Sequence, residues 1–343
     1  MRGILMAGSV SLILSLLVTP VVIRFFQRRG FGQLIRADGP QAHMAKRGTP
    51  TMGGTAMILS GVAGYFAGTG LGTGVSAGGL LVMGTYVGMG AVGFLDDYIK
   101  LRRRRNLGLT KTAKFGGQAV VAVLFTIGAQ YVAKTSTHLS LIGKLDFDFG
   151  VWFPLFAFLI LAATSNAVNL TDGLDGLAAG TSALLFGGYT VIAFWIFRHP
   201  LDYSLEARIH SDALAIAAAA AMGAAIGFLW WNAPPARIFM GDTGALAIGG
   251  ALAALAVLTE TELLLMILGG LFVIETVSVL LQVASYRLCK RRVFKMAPLH
   301  HHFELAGWQE TTVIVRFWII GGLCVAFGMG LFYAEYLARV GSG

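Results

Sequence analysis

GILMAGSVSLILSLLVTPVVI, residues 3–23, holds no charged side chain in 21 positions and is followed at once by Arg24. As a helix it measures about 30 Å, the thickness of a bilayer's hydrocarbon core. It is too long for the apolar core of a signal peptide and no convincing cleavage site follows, so it reads as a retained membrane span. The whole chain asks for the same solvent. Of its 343 residues 56% are hydrophobic and 13% charged, with mean hydropathy +0.73. A soluble globule carries about 25% charge, so a soluble fold is excluded.

Nine further apolar runs follow, at 51–70, 75–95, 115–133, 151–168, 174–197, 212–231, 244–259, 263–286 and 313–337. The expectation is an all-α polytopic protein, one membrane domain over 1–343 with ten spans. Gly61, Gly64, Gly68 and Gly70, then Gly79, Gly84, Gly88 and Gly90, favour close helix approach. Lys144-Leu145-Asp146-Phe147-Asp148-Phe149 alternates with period two, which predicts a small hairpin within 134–150. Cys289 and Cys324 form no metal or redox pattern.

Charge sets orientation. The alternating loops 24–50, 96–114, 166–176, 232–243 and 287–312 hold 19 of the 26 Lys and Arg, while the acids divide evenly between the two sides. By the positive-inside rule these loops are cytoplasmic and both termini lie outside, with the hairpin. Arg102 to Arg105 reads as an anchor to anionic membrane lipids, not as a nucleic-acid patch.

The unusual polar residues fall on those same loops. Asp96 and Asp97 point about 100° apart on a helix, and Lys100 is within reach of both. Asn166, Asn169, Asp172 and Asp175 recur every three residues, making a polar strip if the span continues through them. Asp242 lies between Gly241 and Thr243-Gly244 where a helix begins, a place for a cap or for a cation beside a phosphate. Met296-Ala297-Pro298-Leu299-His300-His301-His302-Phe303-Glu304 sets three histidines between two apolar runs. Hard carboxylate oxygens suit magnesium. Three successive histidines lack the i, i+4 spacing of a zinc pair and suit hydrogen bonding to phosphate. Glu275, Ser278 and Gln282 line nearly one face inside the ninth span, where Gly269-Gly270 allows a bend.

Taken in order, these loops resemble the polyprenyl-phosphate N-acetylhexosamine-1-phosphate transferase superfamily over nearly the whole chain. Within it, the histidine run with Gly307-Trp308 and Arg316-Phe317-Trp318, together with Pro50-Thr51-Met52-Gly53-Gly54 and Phe239-Met240-Gly241-Asp242-Thr243-Gly244, is similar to the phospho-N-acetylmuramoyl-pentapeptide transferases. The resemblance implies magnesium-dependent transfer of phospho-MurNAc-pentapeptide from UDP-MurNAc-pentapeptide to undecaprenyl phosphate, giving lipid I and UMP for peptidoglycan synthesis. It implies a multi-pass protein of the bacterial cytoplasmic membrane, active on the cytoplasmic face, and a homodimer. Asp242 is then the leading magnesium ligand, with Asp96 and Asp97 next, and Asp96 is the favoured group to orient or deprotonate the lipid phosphate. Lys100 neutralises phosphate, and His301 and His302 engage the diphosphate. Lys46, Thr51, Asn166, Asn169, Asp172, Asp175, Asn232, Phe239 and His300 resemble the nucleoside-sugar pocket, with Phe239 available to stack on uracil. The lipid tail is expected in a groove near Glu275.

Two other readings stand beside this one. A sister transferase would use UDP-GlcNAc for another surface polymer, against which the histidine run speaks. A transporter would also place polar residues in spans, but near the membrane midplane rather than gathered at one face.

Overall fold

The computed structural model describes residues 1–30, 48–72, 74–103, 107–199 and 205–341. Its helices are α1 (Arg2–Arg28), α2 (Gly54–Thr69), α3 (Ala77–Arg103), α4 (Lys111–Ile127), α5 (Phe153–Thr171), α6 (Leu177–Arg198), α7 (Leu205–Asn232), α8 (Gly241–Leu258), α9 (Glu262–Leu268), α10 (Gly270–Cys289), α11 (Leu299–Leu305) and α12 (Glu310–Gly341). Every expected span falls on a helix. Nine stretches among the described residues are helical, long and apolar enough to cross a membrane. The remaining expected span, 51–70, is carried by α2, whose 16 residues reach about 24 Å. The expected span 263–286 is two helices rather than one. It breaks at Gly269, between the seven-residue α9 and the 20-residue α10.

At the centre is α8, buried from Thr243 through Leu258 and packed against α3 and α5. Its sequence explains that place: GDTGALAIGGALAALAVL is dominated by small residues, which let neighbouring backbones come close where lipid supplies no hydrophobic drive between helices. A Cβ added at Gly54 would fall on the Gly244 backbone, and one at Gly93 on the Asp242 carbonyl, so three chain segments meet there with no room for side chains. A second group forms around α7, which packs on α1, α2 and α6. Ser11, Ser15 and Thr19 make one buried stripe on α1. Ser11 Oγ donates to the Ser60 carbonyl (3.2 Å) and Ser15 Oγ to the Ala224 carbonyl (2.8 Å), tying α1 to α2 and α7. Outward-facing apolar side chains such as Leu17, Leu124, Leu281 and Phe327 are exposed, as lipid contact requires.

The hairpin is present as β1 (His138–Ser140) and β2 (Lys144–Asp148), antiparallel. Gly143 N donates to the Glu260 carbonyl at 3.1 Å, seating the hairpin on the turn after α8. Asp242 begins α8, so hairpin and Asp242 lie at opposite ends of an 18-residue helix about 27 Å long.

Candidate functional site

The acid pair sits on helix, not in a loop. After the apolar run 75–95, α3 continues to Arg103, and the Asp96, Asp97, Lys100 spacing then acts as the sequence predicts. Lys100 Nζ lies 2.6 Å from Asp96 Oδ2 and 3.6 Å from Asp97 Oδ1. Asp97 reaches across to the start of α8, where its Oδ2 accepts from the Thr243 backbone N–H (2.9 Å) and hydroxyl (2.8 Å). It thereby satisfies a helix-end donor and places its charge at the positive end of the helix dipole. Gly241, at φ +72°, turns the chain into that helix, and a side chain there would meet Asp97 Oδ2 and Thr51 Oγ1. Asp96 Oδ1 accepts from Leu109 N at 2.8 Å, so the residues leading into α4 lie against it.

Asp242, in the first turn of α8, completes the group. One oxygen from each of Asp96, Asp97 and Asp242 lies within 4.8 Å of the others. Lys100 Nζ is 3.1 Å from Asp242 Oδ2, and Lys114 Nζ, from α4, is 2.6 Å from the same oxygen. Lys114 was not among the expected site residues. The nearest signal was its place at the end of the loop 96–114, but its contact with Asp242 spans 128 residues and no local pattern encodes it.

Asp172 closes the carboxylate cluster. The helix α5 carries Asn166 and Asn169, both half-buried, and ends with Asp172 as its C-cap, so the polar strip runs that far. Burial, reinforced by the Asp242, Asp97 and Asp175 carboxylates, pushes the Asp172 carboxyl well above the usual range, against the opposing pull of the Gly241 N–H. Asp175 leaves the strip, because the chain turns before Gly176 at φ +79°. It is buried, and its Oδ2 accepts from Ala236 N (2.9 Å). Asn232, also buried, accepts from Gly176 N (3.0 Å) and donates to the Ile238 carbonyl (2.9 Å). These two side chains therefore fasten the loop after α5 to the loop after α7. That second loop is zipped to the 50–54 segment: Phe239 N donates to the Pro50 carbonyl (2.8 Å) and Gly53 N to the Phe239 carbonyl (2.9 Å). Thr51 is buried in that seam and Phe239 half-buried. Lys46 lies outside the described residues.

The histidines occupy the short helix α11. His301 Nδ1 is 2.7 Å from Glu304 Oε2, and His302 Nδ1 accepts from Lys295 N at 3.1 Å. Both are half-buried, whereas His300 is fully buried beside Gly173. Trp308 stacks on Phe303 (4.5 Å between centroids), and the Arg316 guanidinium lies 4.2 Å above the Trp308 ring, fixing α11 on α12.

A magnesium ion fits this donor set chemically. Its bonds of about 2.1 Å place facing ligand oxygens at most roughly 4.2 Å apart, so three oxygens within 4.8 Å need only a small closure, with Lys100 moving off Asp242. The three carboxylates of Asp96, Asp97 and Asp242 against the two ammoniums of Lys100 and Lys114 still leave negative charge for a dication.

Residues 79–260 match the family model described as glycosyl transferase family 4. Over 99% of its length the chain is 58% identical to a phospho-N-acetylmuramoyl-pentapeptide-transferase of Frankia casuarinae, all of which is covered. The same name belongs to relatives from Rhodococcus opacus (52% identical, 99% of this chain, 100% of the relative) and Thermobifida fusca (51%, 99%, 100%).

Proposed function

The chain belongs to the phospho-N-acetylmuramoyl-pentapeptide-transferase family, and from that premise we propose that it moves phospho-MurNAc-pentapeptide from UDP-MurNAc-pentapeptide to undecaprenyl phosphate, giving lipid I and UMP in peptidoglycan synthesis. The observation that carries the chemistry is the convergence of Asp96, Asp97 and Asp242 with Lys100 and Lys114. A phosphate attacking a diphosphate meets charge repulsion first, so positioning and neutralisation supply most of the catalysis.

The nucleophile is an oxygen of the lipid phosphate. Its second pKa is about 6, so at pH 7 it is already largely dianionic and no strong base is required. Its new P–O bond forms at the sugar-bearing phosphorus as the bond to the uridylyl oxygen breaks, and UMP leaves with the electron pair. Magnesium, held by Asp242 with Asp96 and Asp97, would supply the charge that stabilises the leaving group. Asp96 orients the lipid phosphate and receives a residual proton. Lys100 and Lys114 neutralise phosphate oxygens, and His301 and His302 donate to the diphosphate. Asn166, Asn169 and Asp172 face the nucleoside-sugar, Phe239 stacks on uracil, and Asp175, Asn232 and Thr51 hold the loops that form its pocket.

The reading includes a cytoplasmic site, supported by the 19 basic residues in the loops on that side, and a homodimer. Purified protein with undecaprenyl phosphate and magnesium is offered each donor in turn. UMP is expected from UDP-MurNAc-pentapeptide and not from UDP-GlcNAc; release from the GlcNAc donor alone overturns the assignment.

A further inference from the structure

Glu275 is an acid inside a membrane helix, at 0% exposure, and the transfer chemistry leaves it without a task. Such a group is costly in a membrane interior unless both oxygens find donors. Here both do. Oε2 accepts from Leu299 N at 2.7 Å, one of the unpaired N–H groups at the start of α11, and Oε1 lies 3.1 Å from His300 Nδ1. His300 is also at 0% exposure, and its other nitrogen, Nε2, is buried without a partner. That nitrogen faces Gly173, where an added Cβ would collide with it. Gly173 follows Asp172 in the loop at the end of α5.

We infer that Glu275 is a positioning residue: through His300 it locks the histidine helix against the Asp172–Gly176 loop and holds the imidazole as the neutral tautomer with its proton on Nδ1. A carboxylate at Nδ1 requires an N–H there. A second proton would sit on Nε2 as a buried cation's N–H with no acceptor, so Nε2 stays bare. His302 is held the opposite way. Its Nδ1 accepts the Lys295 N–H, so its proton is on Nε2. The same face of α10 holds the rest of the returning segment: Gln282 Oε1 accepts from Val293 N and Phe294 N (both 3.0 Å), and Ser285 Oγ donates to the Arg291 carbonyl at 2.9 Å. The two surfaces joined by this strut are the ones that receive the UDP donor under the transferase reading, on which this inference rests. Lipid-phosphate contacts at Asp96 and Lys100 are outside it.

The test uses the full chain in bilayers with 15N-labelled histidine, His300 being assigned by its loss in His300→Gln. Wild type is expected to show His300 protonated at Nδ1 only and His302 at Nε2 only. In Glu275→Gln an amide faces one of the two donors, so the His300 pattern changes. Its kcat/KM for UDP-MurNAc-pentapeptide falls at least tenfold, while KM for undecaprenyl phosphate stays within twofold. Gly173→Ala, which strikes the other end of the strut, reproduces the donor-side loss. A wild-type His300 protonated at Nε2 overturns the inference, as does an unchanged donor kcat/KM in Glu275→Gln. A rise in both KM values together also overturns it, because that marks general loosening. Wild-type protein that releases no UMP would reject the transferase reading, and the tautomers would still decide the Glu275–His300 pairing.

Discussion

Lys100 and Lys114 meet on one oxygen of Asp242, at 3.1 and 2.6 Å. Cations so placed neutralise phosphates, and they also repel a dication seeking the same carboxylate. Lys114→Met is therefore expected to lower kcat at least tenfold while reaching half-maximal rate at severalfold less magnesium, and a magnesium titration of UMP release reads both. A higher magnesium requirement would contradict this competition. Asp172 makes a different prediction. Its raised pKa means that the folded chain holds a proton the unfolded chain has released above about pH 3.9, so stability falls as pH rises from there toward the raised value. In metal-free protein Asp172→Asn removes that loss. The variant should melt above wild type at pH 7, with the gap closing near pH 4, and should lose turnover. Melting below wild type at pH 7 would show that the carboxylate stabilises the fold. Residue types and spacing were legible in the sequence for Asp96, Asp97, Lys100 and Asp242, although all four stand on helices rather than in the expected loops. What it did not reveal was which polar groups are tied up. Asp175, Asn232 and His300 look like ligand contacts by type, yet they are buried in loop-to-loop and helix-to-helix bonds set by tertiary approach.

Helices were legible wherever an uncharged run filled a bilayer, and their ends were not. The acid pair continues α3 to Arg103 because Asp96 and Lys100 support each other one turn apart, a local interaction that hydropathy does not weigh. The bend expected at Gly269-Gly270 is a full break, after which α10 presents Glu275 and Gln282 to the returning chain. Glycines show the same division. Gly54 and Gly84 both sit in Gly-rich helices, but a Cβ at Gly54 would strike the Gly244 backbone, and one at Gly84 meets nothing within 4 Å. Overpacking of a rigid contact costs about 1–3 kcal/mol. Gly54→Ala should lower the melting temperature by several degrees and disturb Asp242 through the displaced start of α8. Gly84→Ala should leave both melting and turnover unchanged. Equal melting of the two variants would mean that the α2–α8 crossing is slack.

Across the molecule, one end of α8 carries the carboxylates and the other end the hairpin, so a single labelling experiment decides which face of the membrane does the chemistry. The basic-residue asymmetry predicts the carboxylates inside. Two positions report on it. Cys289 is exposed at the end of α10, on the segment that leads to the histidine helix, and Asp146 is exposed on β2. In cells whose protein carries Cys324→Ser, a membrane-impermeant maleimide should reach Cys289 only after the membrane is opened. In a second protein with Cys289→Ser, Cys324→Ser and Asp146→Cys, the same reagent should react with intact spheroplasts. The reverse pattern would put the carboxylates outside, where the UDP donor and UMP would have to cross the membrane, and would remove the cytoplasmic site from the proposed function. Labelling at both positions in intact spheroplasts would mean that the chain inserts in two orientations, which the gathering of 19 of the 26 basic residues on one side opposes by about 1 kcal/mol for each one near an anionic surface.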